Sequence, residues 1–281
     1  MKRIFRLVLA LCLGAGIGLA GSAQPVLADG PFHFGFKKSV NGSLPSINEE
    51  GFKDIIDKNG AIFTGDTRKK DIYLTFDNGY ENKGYTSIIL DTLKAKKVPA
   101  AFFITGHYVK DQPELVKRMA AEGHIIGNHS WSHPDMTTIS NEKIKEELDK
   151  VKQAVTEVTG IKEMVYLRPP RGIFDERTLS VTRQYGYTNV FWSLAYKDWD
   201  VNDQKGGAYA FKKVVSQLHP GAVLLIHAIS KDNTDALGNI IDEARRQGYT
   251  FKSLNDLPGK ADAAKPDTVK PGQPGGQPGK K

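Results

Sequence analysis

The chain has 281 residues, of which 40% are hydrophobic and 25% charged, as is typical of a globular protein with one sizeable core. Its formal net charge of +7 is concentrated at the two ends, because residues 1–28 carry +3 and residues 260–281 carry another +3. The residues between them are close to neutral, and the sequence therefore excludes a basic groove for nucleic acid.

The first 28 residues have the pattern of a secretory signal peptide. Three basic residues precede an apolar run from Leu7 to Ala20, and the segment ends at Val26-Leu27-Ala28, whose small outer positions suit signal peptidase. The run is shorter than the roughly 20 residues that a membrane-spanning helix needs, so we predict cleavage, secretion to the cell wall and no stable membrane insertion. Cys12 is the only cysteine, and the mature chain would form no disulfide.

Residues 29–69 precede the main domain and contain alternating phenylalanines at positions 32, 34 and 36. Because Glu49 to Lys58 form an amphipathic piece, we expect an ordered N-terminal extension that packs on the main domain, residues 70–252. Residues 260–281 are rich in Pro, Gly and Lys and contain almost nothing apolar to bury. They predict a disordered basic tail suited to weak adhesion to anionic wall polymer.

From Asp71 onward, short apolar runs alternate with helical patterns. The runs are Ile72–Asp77, Ala100–Thr105, His124–His129, Met164–Pro169, Asn189–Ser193, Val223–His227 and Tyr249–Phe251. The predicted helices are Thr86–Lys97, Pro113–Glu122 capped by Asp111, Asn141–Thr159 capped by Ser140, Asp175–Tyr185, Tyr209–Leu218 and Asn233–Gln247. Apolar strands that alternate with helices indicate an α/β fold with a parallel sheet covered by helices. Seven such units predict a distorted (β/α) barrel, with a doubly wound open sheet as the alternative.

Reactive side chains follow the predicted strands. Asp77, His129, Arg168, Trp192 and His227 each lie at or just beyond the carboxyl end of a different strand. In β/α barrels this rim carries the active site, and convergence of several strand ends therefore favours a catalytic centre over ordinary polar loops.

Two of these segments suggest metal-assisted proton chemistry. Asp77 ends a strand beside Asn78-Gly79 and is well placed as a general base, although Asp-Asn-Gly is also a common turn. His129 and His133 are four residues apart, so that a helical turn would bring both imidazoles to one metal ion. Zinc is the first expectation, and other first-row divalent ions also suit imidazole. Taken alone, the pair could equally be two surface loop histidines.

Three further segments complete the rim. Consecutive prolines between Arg168 and Arg171 predict a rigid wall whose backbone donors could form an oxyanion hole, or simply a rigid loop. Trp192, Asp198 and Trp199 form an aromatic and acidic rim that suits a sugar ring but also plain packing. His227 ends an apolar strand, and opposite a carboxylate and a metal pair it becomes the natural general acid.

In this order and spacing, the motifs resemble the polysaccharide deacetylases of carbohydrate esterase family 4, over about residues 70–252. The resemblance implies a distorted β/α barrel that hydrolyses acetamides or acetate esters on sugars with a metal-activated water. It implies Asp77 as base, His227 as acid, and His129 and His133 as metal ligands. Arg168 and Asp198 would orient or tune these groups, and the amide of Arg171 would face the oxyanion. Tyr80, Trp192 and Trp199 are the remaining candidates for substrate contact.

Two departures from the family pattern stand out. Asn78 replaces an Asp that usually serves as the third metal ligand, and a neutral amide should hold a divalent ion less tightly. Ala195 stands where relatives often have a further acid. The Asn form, within Thr75-Phe76-Asp77-Asn78-Gly79-Tyr80, resembles the deacetylases of spore-forming bacteria that act on N-acetylmuramic acid and lead to muramic δ-lactam in the spore cortex.

That resemblance implies peptidoglycan strands as substrate and a secreted enzyme of the cell wall or the forespore cortex. Two alternatives stay open. The first is a deacetylase of N-acetylglucosamine polymers that uses the same groups, and the second is an inactive glycan-binding module, which the change at Asn78 would favour. The sequence gives no indication of the oligomeric state or of the metal used in the cell.

Overall fold

The computed structural model of this chain describes residues 30–40 and 43–257. The predicted signal peptide and the predicted basic tail lie outside the described residues. No helix within the described ranges is both long and apolar enough to cross a membrane.

The described residues form short strands and longer helices in alternation. The strands are β1 (Phe32–His33), β2 (Asp71–Asn78), β3 (Ala101–Ile104), β4 (Ile125–Asn128), β5 (Tyr166–Leu167), β6 (Ile173–Phe174), β7 (Thr188–Asn189), β8 (Ala222–His227) and β9 (Thr250–Phe251). The helices are α1 (Lys53–Lys58), α2 (Tyr85–Lys96), α3 (Gly106–Asp111), α4 (Pro113–Ala121), α5 (Asn141–Thr159), α6 (Glu176–Gln184), α7 (Gly207–Val215) and α8 (Lys231–Arg246).

Seven of the described strands form one parallel sheet in the order β7-β5-β4-β3-β2-β8, with β9 pairing the start of β2. The sheet curls into a half-barrel covered by helices, which confirms the predicted distorted β/α barrel. Strand β2 lies between β3 and β8, and seven of its eight residues are buried. A parallel strand with neighbours on both edges and helices on its faces is covered on all sides, which explains its apolar sequence.

The N-terminal extension fills the gap that the sheet leaves between β7 and β8. Ile62 forms a parallel bridge with Val190, and Thr64 forms an antiparallel bridge with Ala222. The extension also supplies half of a second apolar cluster, which joins Phe34, Ile47, Phe52, Ile55 and Ile56 to Phe174, Leu179, Phe191, Trp192, Ala195 and Leu225. The expected packing of the extension on the main domain is thus observed, and Ala195 belongs to that cluster.

Helix capping was predicted correctly at one of two positions, Ser140, while Asp175, predicted as the first residue of a helix, is the N-cap of α6. Ser140 accepts a hydrogen bond from the amide of Lys143, and Asp175 forms a capping box with Thr178. The prediction that Asp111 caps α4 is wrong, because Asp111 ends the short helix α3 and Gln112 precedes α4. Helix α3 escaped detection because its six residues are too few to show a helical period.

We expect Phe34→Ala to destabilise the folded protein strongly. The Phe34 side chain is fully buried, and its ring stacks on Phe191 with centroids 4.5 Å apart and lies 5.3 Å from the indole of Trp192. Removal of a buried phenylalanine costs about 3–5 kcal/mol. Urea denaturation followed by circular dichroism would measure this loss, with the half-exposed Leu44→Ala of the same extension as control. A cost below that of the control would show that the extension is not part of the cooperative unit.

Candidate active site

A cavity of about 610 Å³ opens at the carboxyl ends of the parallel strands. The predicted site residues divide between its wall and the layer behind it. The wall includes Asp77, Tyr80, His129, His133, Arg171, Trp192, Trp199 and His227. Arg168, Asp198 and Asn78 are buried behind it and are not among the residues that line the cavity.

Arg168 acts on the cavity through Asp77. Its fully buried guanidinium donates from Nη1 to Asp77 Oδ1 at 2.8 Å and from Nη2 to Thr75 Oγ1 at 2.9 Å. Burial raises the pKa of Asp77, but the charge and hydrogen bond of Arg168, together with the charge of His227, outweigh it and hold that pKa below its ordinary value. Asp77 is therefore ionised at neutral pH, with Oδ1 tied to Arg168 and Oδ2 facing the histidines.

His129 and His133 meet without a helical turn. Their ring centroids lie 4.8 Å apart, although the segment between them is an irregular loop in which Ser130 and His133 have left-handed backbone. The loop is fixed by its own polar residues, since the His133 amide donates to Ser130 Oγ and Ser132 donates twice to the buried carboxylate of Glu147. The two imidazoles therefore lie close together as expected, but the segment that joins them is a loop and not the helical turn that the sequence suggested.

The protonation of the two imidazoles suits a metal ion. Nδ1 of His129 lies 2.8 Å from the carbonyl of Arg168, which can only accept, so Nδ1 carries the proton and Nε2 keeps its lone pair. That Nε2 faces Asp77 Oδ2 at 3.5 Å. Burial lowers the pKa of His129, and burial also lowers the pKa of His133 to about 3. Both rings are neutral at neutral pH, as metal ligation requires.

Asn78 supplies the observation that tests the metal hypothesis further. Its Oδ1 is buried and has no hydrogen-bond partner among the described residues, while its Nδ2 lies 3.4 Å from Thr86 Oγ1. A buried polar atom left without a partner is costly unless another group satisfies it. No three His, Cys, Asp or Glu side chains in the described ranges are grouped for a metal. The donor set that fits is two imidazoles and this amide oxygen.

His227 and Asp198 form the second hydrogen-bonded pair of the site, in which Asp198 is buried and His227 reaches the cavity. Asp198 Oδ1 accepts from His227 Nδ1 at 2.7 Å, and Oδ2 accepts from the His227 amide at 2.8 Å. Burial lowers the pKa of His227, but the charge and hydrogen bond of Asp198 outweigh it, so that the pKa is raised above its ordinary value. Because Asp77 and His227 are register partners on β2 and β8, the residues expected as base and acid lie side by side at the rim.

Arg171 is the one Lys or Arg side chain that lines the cavity within the described part of the chain. It is exposed and forms no ion pair there. Its backbone has φ 59°, and the next residue, Gly172, has φ 64° with no room for a Cβ against Trp192. Left-handed backbone at a non-glycine residue is strained and is concentrated at functional sites.

Sequence reasoning missed several wall residues. They are Phe36, His107, Trp131, Tyr196 and Ile229. Tyr196 also donates to Asn233, whose Nδ2 donates to Asp198 at 2.5 Å. Only Trp131 could have been found from the sequence, because it lies inside the His-x-x-x-His segment. The other residues reach the cavity through tertiary contacts that leave no local sequence pattern.

Residues 64–190 match the sequence model of the polysaccharide deacetylase family. The peptidoglycan-N-acetylmuramic acid deacetylase PdaA of Bacillus subtilis is 49% identical over 88% of this chain and 94% of its own length. An uncharacterized 30.6 kDa protein of Geobacillus stearothermophilus is 60% identical over 81% of this chain and 85% of its own. The solved structure of Bacillus subtilis PdaA, described as a family 4 carbohydrate esterase, superposes with a TM-score of 0.79 at 51% identity, covering 82% of this chain and 97% of that chain.

We predict that Asn78→Asp tightens zinc binding. An anionic oxygen offsets cation charge that the amide oxygen cannot, and the existing Oδ1 has no hydrogen-bond partner within the described part of the chain. Calorimetric titration of the apoprotein would measure the change. Asn82→Asp is the matched control, because the Asn82 amide donates to the carbonyl of Ile229 at 3.1 Å and the variant adds the same charge elsewhere. Equal tightening in both variants would show that residue 78 does not contact the metal.

Proposed function

This chain belongs to the polysaccharide deacetylases of carbohydrate esterase family 4, and from that premise we propose that it removes the acetyl group from N-acetylmuramic acid in peptidoglycan strands. The chain is a hydrolase of a family of metalloenzymes. The alternative of an inactive glycan-binding module is therefore not pursued. The similarity to PdaA supports the choice of sugar.

The observation that carries the choice of muramic acid is the cation of Arg171 in the cavity wall, which forms no ion pair with any described residue. Muramic acid bears its acetamido group on C2 and a lactyl ether with a carboxylate on C3, the adjacent carbon. Glucosamine has only a hydroxyl group at C3. An Arg side chain beside the acetamide pocket matches the lactyl carboxylate through a charge-assisted hydrogen bond. The carboxylate is free only where the stem peptide has been removed, so we propose such strands as the substrate.

Asp77 and His227 divide the proton transfers of the hydrolysis. Asp77 Oδ2 accepts a proton from the water that attacks the acetyl carbon, while Arg168 holds the other oxygen in place. His227 donates a proton to the leaving amine nitrogen, so that the C–N bond breaks and acetate and a free amine result. The amide of Arg171 is proposed to stabilise the oxyanion between these steps. Asp198 keeps His227 protonated and oriented.

A divalent ion held by His129, His133 and Asn78, with zinc first and cobalt or manganese as alternatives, would supply polarisation of the acetyl carbonyl and a lowered pKa of water. The proposed ligands are two neutral imidazoles and one amide oxygen, which is a weaker neutral donor. We therefore propose that the metal ion is bound loosely and that activity depends on added metal.

We propose secretion, after cleavage of residues 1–28, to the cell wall or the forespore cortex. Removal of the acetyl group would expose an amine next to the lactyl carboxylate, and this pair is the precursor of a muramic δ-lactam. The role in cortex formation rests on the resemblance to the sporulation deacetylases.

The decisive experiment is product identification. Purified protein with added zinc is incubated with peptidoglycan strands freed of stem peptides, and the digested sugars are analysed by mass spectrometry. Loss of acetyl from muramic acid is expected, and loss of acetyl from glucosamine alone would refute the proposal.

Asp77→Asn and His227→Gln variants that stay folded by circular dichroism should each lose about 10²–10⁴-fold in turnover.

Asp198→Asn should move the alkaline limb of the kcat/KM profile to lower pH. Asp198 raises the pKa of His227, so the protonated acid persists below that raised value and is lost as pH rises through it. The variant lacks the negative charge, and its His227 deprotonates earlier. Asp200→Asn, in an exposed carboxylate paired with Lys197, is the control and should leave the limb in place. An unchanged limb in Asp198→Asn would show that His227 is not the titrating acid.

Arg171→Met should lower kcat/KM on muramic acid substrates by about 10–100-fold, since a hydrogen bond to a charged group contributes about 1.5–3 kcal/mol. Activity on an analogue whose lactyl carboxylate is converted to a neutral amide should be much less affected. Lys197→Met, which removes an exposed cation that does not line the cavity, is the control. Equal losses on both substrates would assign Arg171 a role unrelated to the carboxylate.

A further inference from the structure

The N-terminal extension places one exposed aromatic ring at the cavity. The Phe36 side chain is 41% exposed, while Phe34 and Lys37 on either side are 0% and 5% exposed. Phe36 also lines the cavity and is not part of the apolar clusters of the described residues. Its exposure therefore does not come from a loose segment, because the side chains of Phe34 before it and Lys37 after it are buried.

The backbone around Phe36 is tied to the catalytic loops. The amide of Phe34 donates to the carbonyl of Gly172 at 2.9 Å, and the indole Nε1 of Trp192 donates to the carbonyl of Gly35 at 2.9 Å. Both partners belong to loops that line the cavity. The position of Phe36 is thus fixed relative to the cavity wall.

Lys37 anchors the other side of Phe36. Its buried ammonium donates to the carbonyl of Phe34 and to Glu50, and it lies 4.8 Å and 5.3 Å from the ring centroids of Phe34 and Phe52. A buried charge is tolerated only with such partners, and these contacts restrict the backbone to one course. Lys37 is turned inward, and the adjacent Phe36 side chain is exposed at the cavity.

Phe36 continues a row of rings that starts at the proposed acid. Trp199 lies edge-on to His227 with ring centroids 5.4 Å apart, and Phe36 stacks on Trp199 at 5.9 Å with an interplanar angle of 29°. Trp199 is itself 45% exposed. Trp199 is therefore the ring next to His227, and Phe36 stands one ring farther out.

We propose that Phe36 and Trp199 form an aromatic platform that binds the sugar next to the one being deacetylated, and that Phe36 makes the enzyme prefer chains over short substrates. The C–H groups on the face of a pyranose ring carry partial positive charge and suit the negative face of an aromatic ring. The inference rests on the proposed catalytic function but not on the identity of the sugar.

The test compares substrates of different length. The ratio of kcat/KM for a long oligosaccharide to that for a disaccharide of the same repeat is measured with the glycan that the wild-type protein deacetylates. Phe36→Ala should reduce this ratio about tenfold, mainly through KM, as expected for loss of an aromatic contact. Phe36→Leu, which keeps apolar bulk without a ring, should reduce it similarly, and Phe36→Trp should restore it.

Leu44→Ala is the control, since Leu44 is equally exposed on the same extension but does not line the cavity. It should leave the ratio unchanged. An unchanged ratio in Phe36→Ala, or an equal loss on both lengths, would overturn the proposal. Because the comparison uses whichever glycan reacts, a failed assignment of muramic acid would leave the length comparison intact, and the two failures would be told apart.

Discussion

The ion pair between Arg168 and Asp77 is the contact on which the arrangement of the site depends. Two charges removed from water are stable only with close partners and satisfied hydrogen bonds. Arg168 meets this requirement by donating to Asp77, to Thr75 and to the carbonyls of Val190 and Phe191, while its own carbonyl orients a histidine ring. One fully buried side chain thus links strand β2, the end of β5 and the loop after β7. Loss of either charge would leave the other unpaired in the interior and disturb three parts of the rim together.

The site contains two carboxylates with opposite tasks, and their partners set the difference. Asp77 faces a guanidinium that is always charged, which keeps the carboxylate ionised. Asp198 faces an imidazole that can lose its proton, and its negative charge therefore acts on the pKa of that imidazole. The same chemical group is thus suited to the proposed role of base in one environment and of tuning charge in the other.

The sequence predicted the parallel sheet and most of the rim because both leave local patterns. Apolar runs located β2, β3, β4 and β8 to within a residue or two, and Asp77 and His227 followed from their ends. It did not predict the two-residue pairing of β1 with β6, since such short strands have no period. It also missed Phe36, whose hydrogen-bonded neighbour Gly35 meets Trp192 across 157 positions of the chain. The burial of Arg168 behind the cavity was equally invisible, because arginine in a loop ordinarily indicates surface.

The filling of the sheet gap by the N-terminal extension has a consequence for the order of folding. Ile62 and Thr64 are synthesised before every strand of the parallel sheet, yet their partners Val190 and Ala222 come well over a hundred residues later. Contacts of such long sequence separation are slow to form, because the closure of the intervening chain must precede them. The first part of the domain to be made is therefore among the last to pack, and the second apolar cluster is completed only after most of the chain has been synthesised.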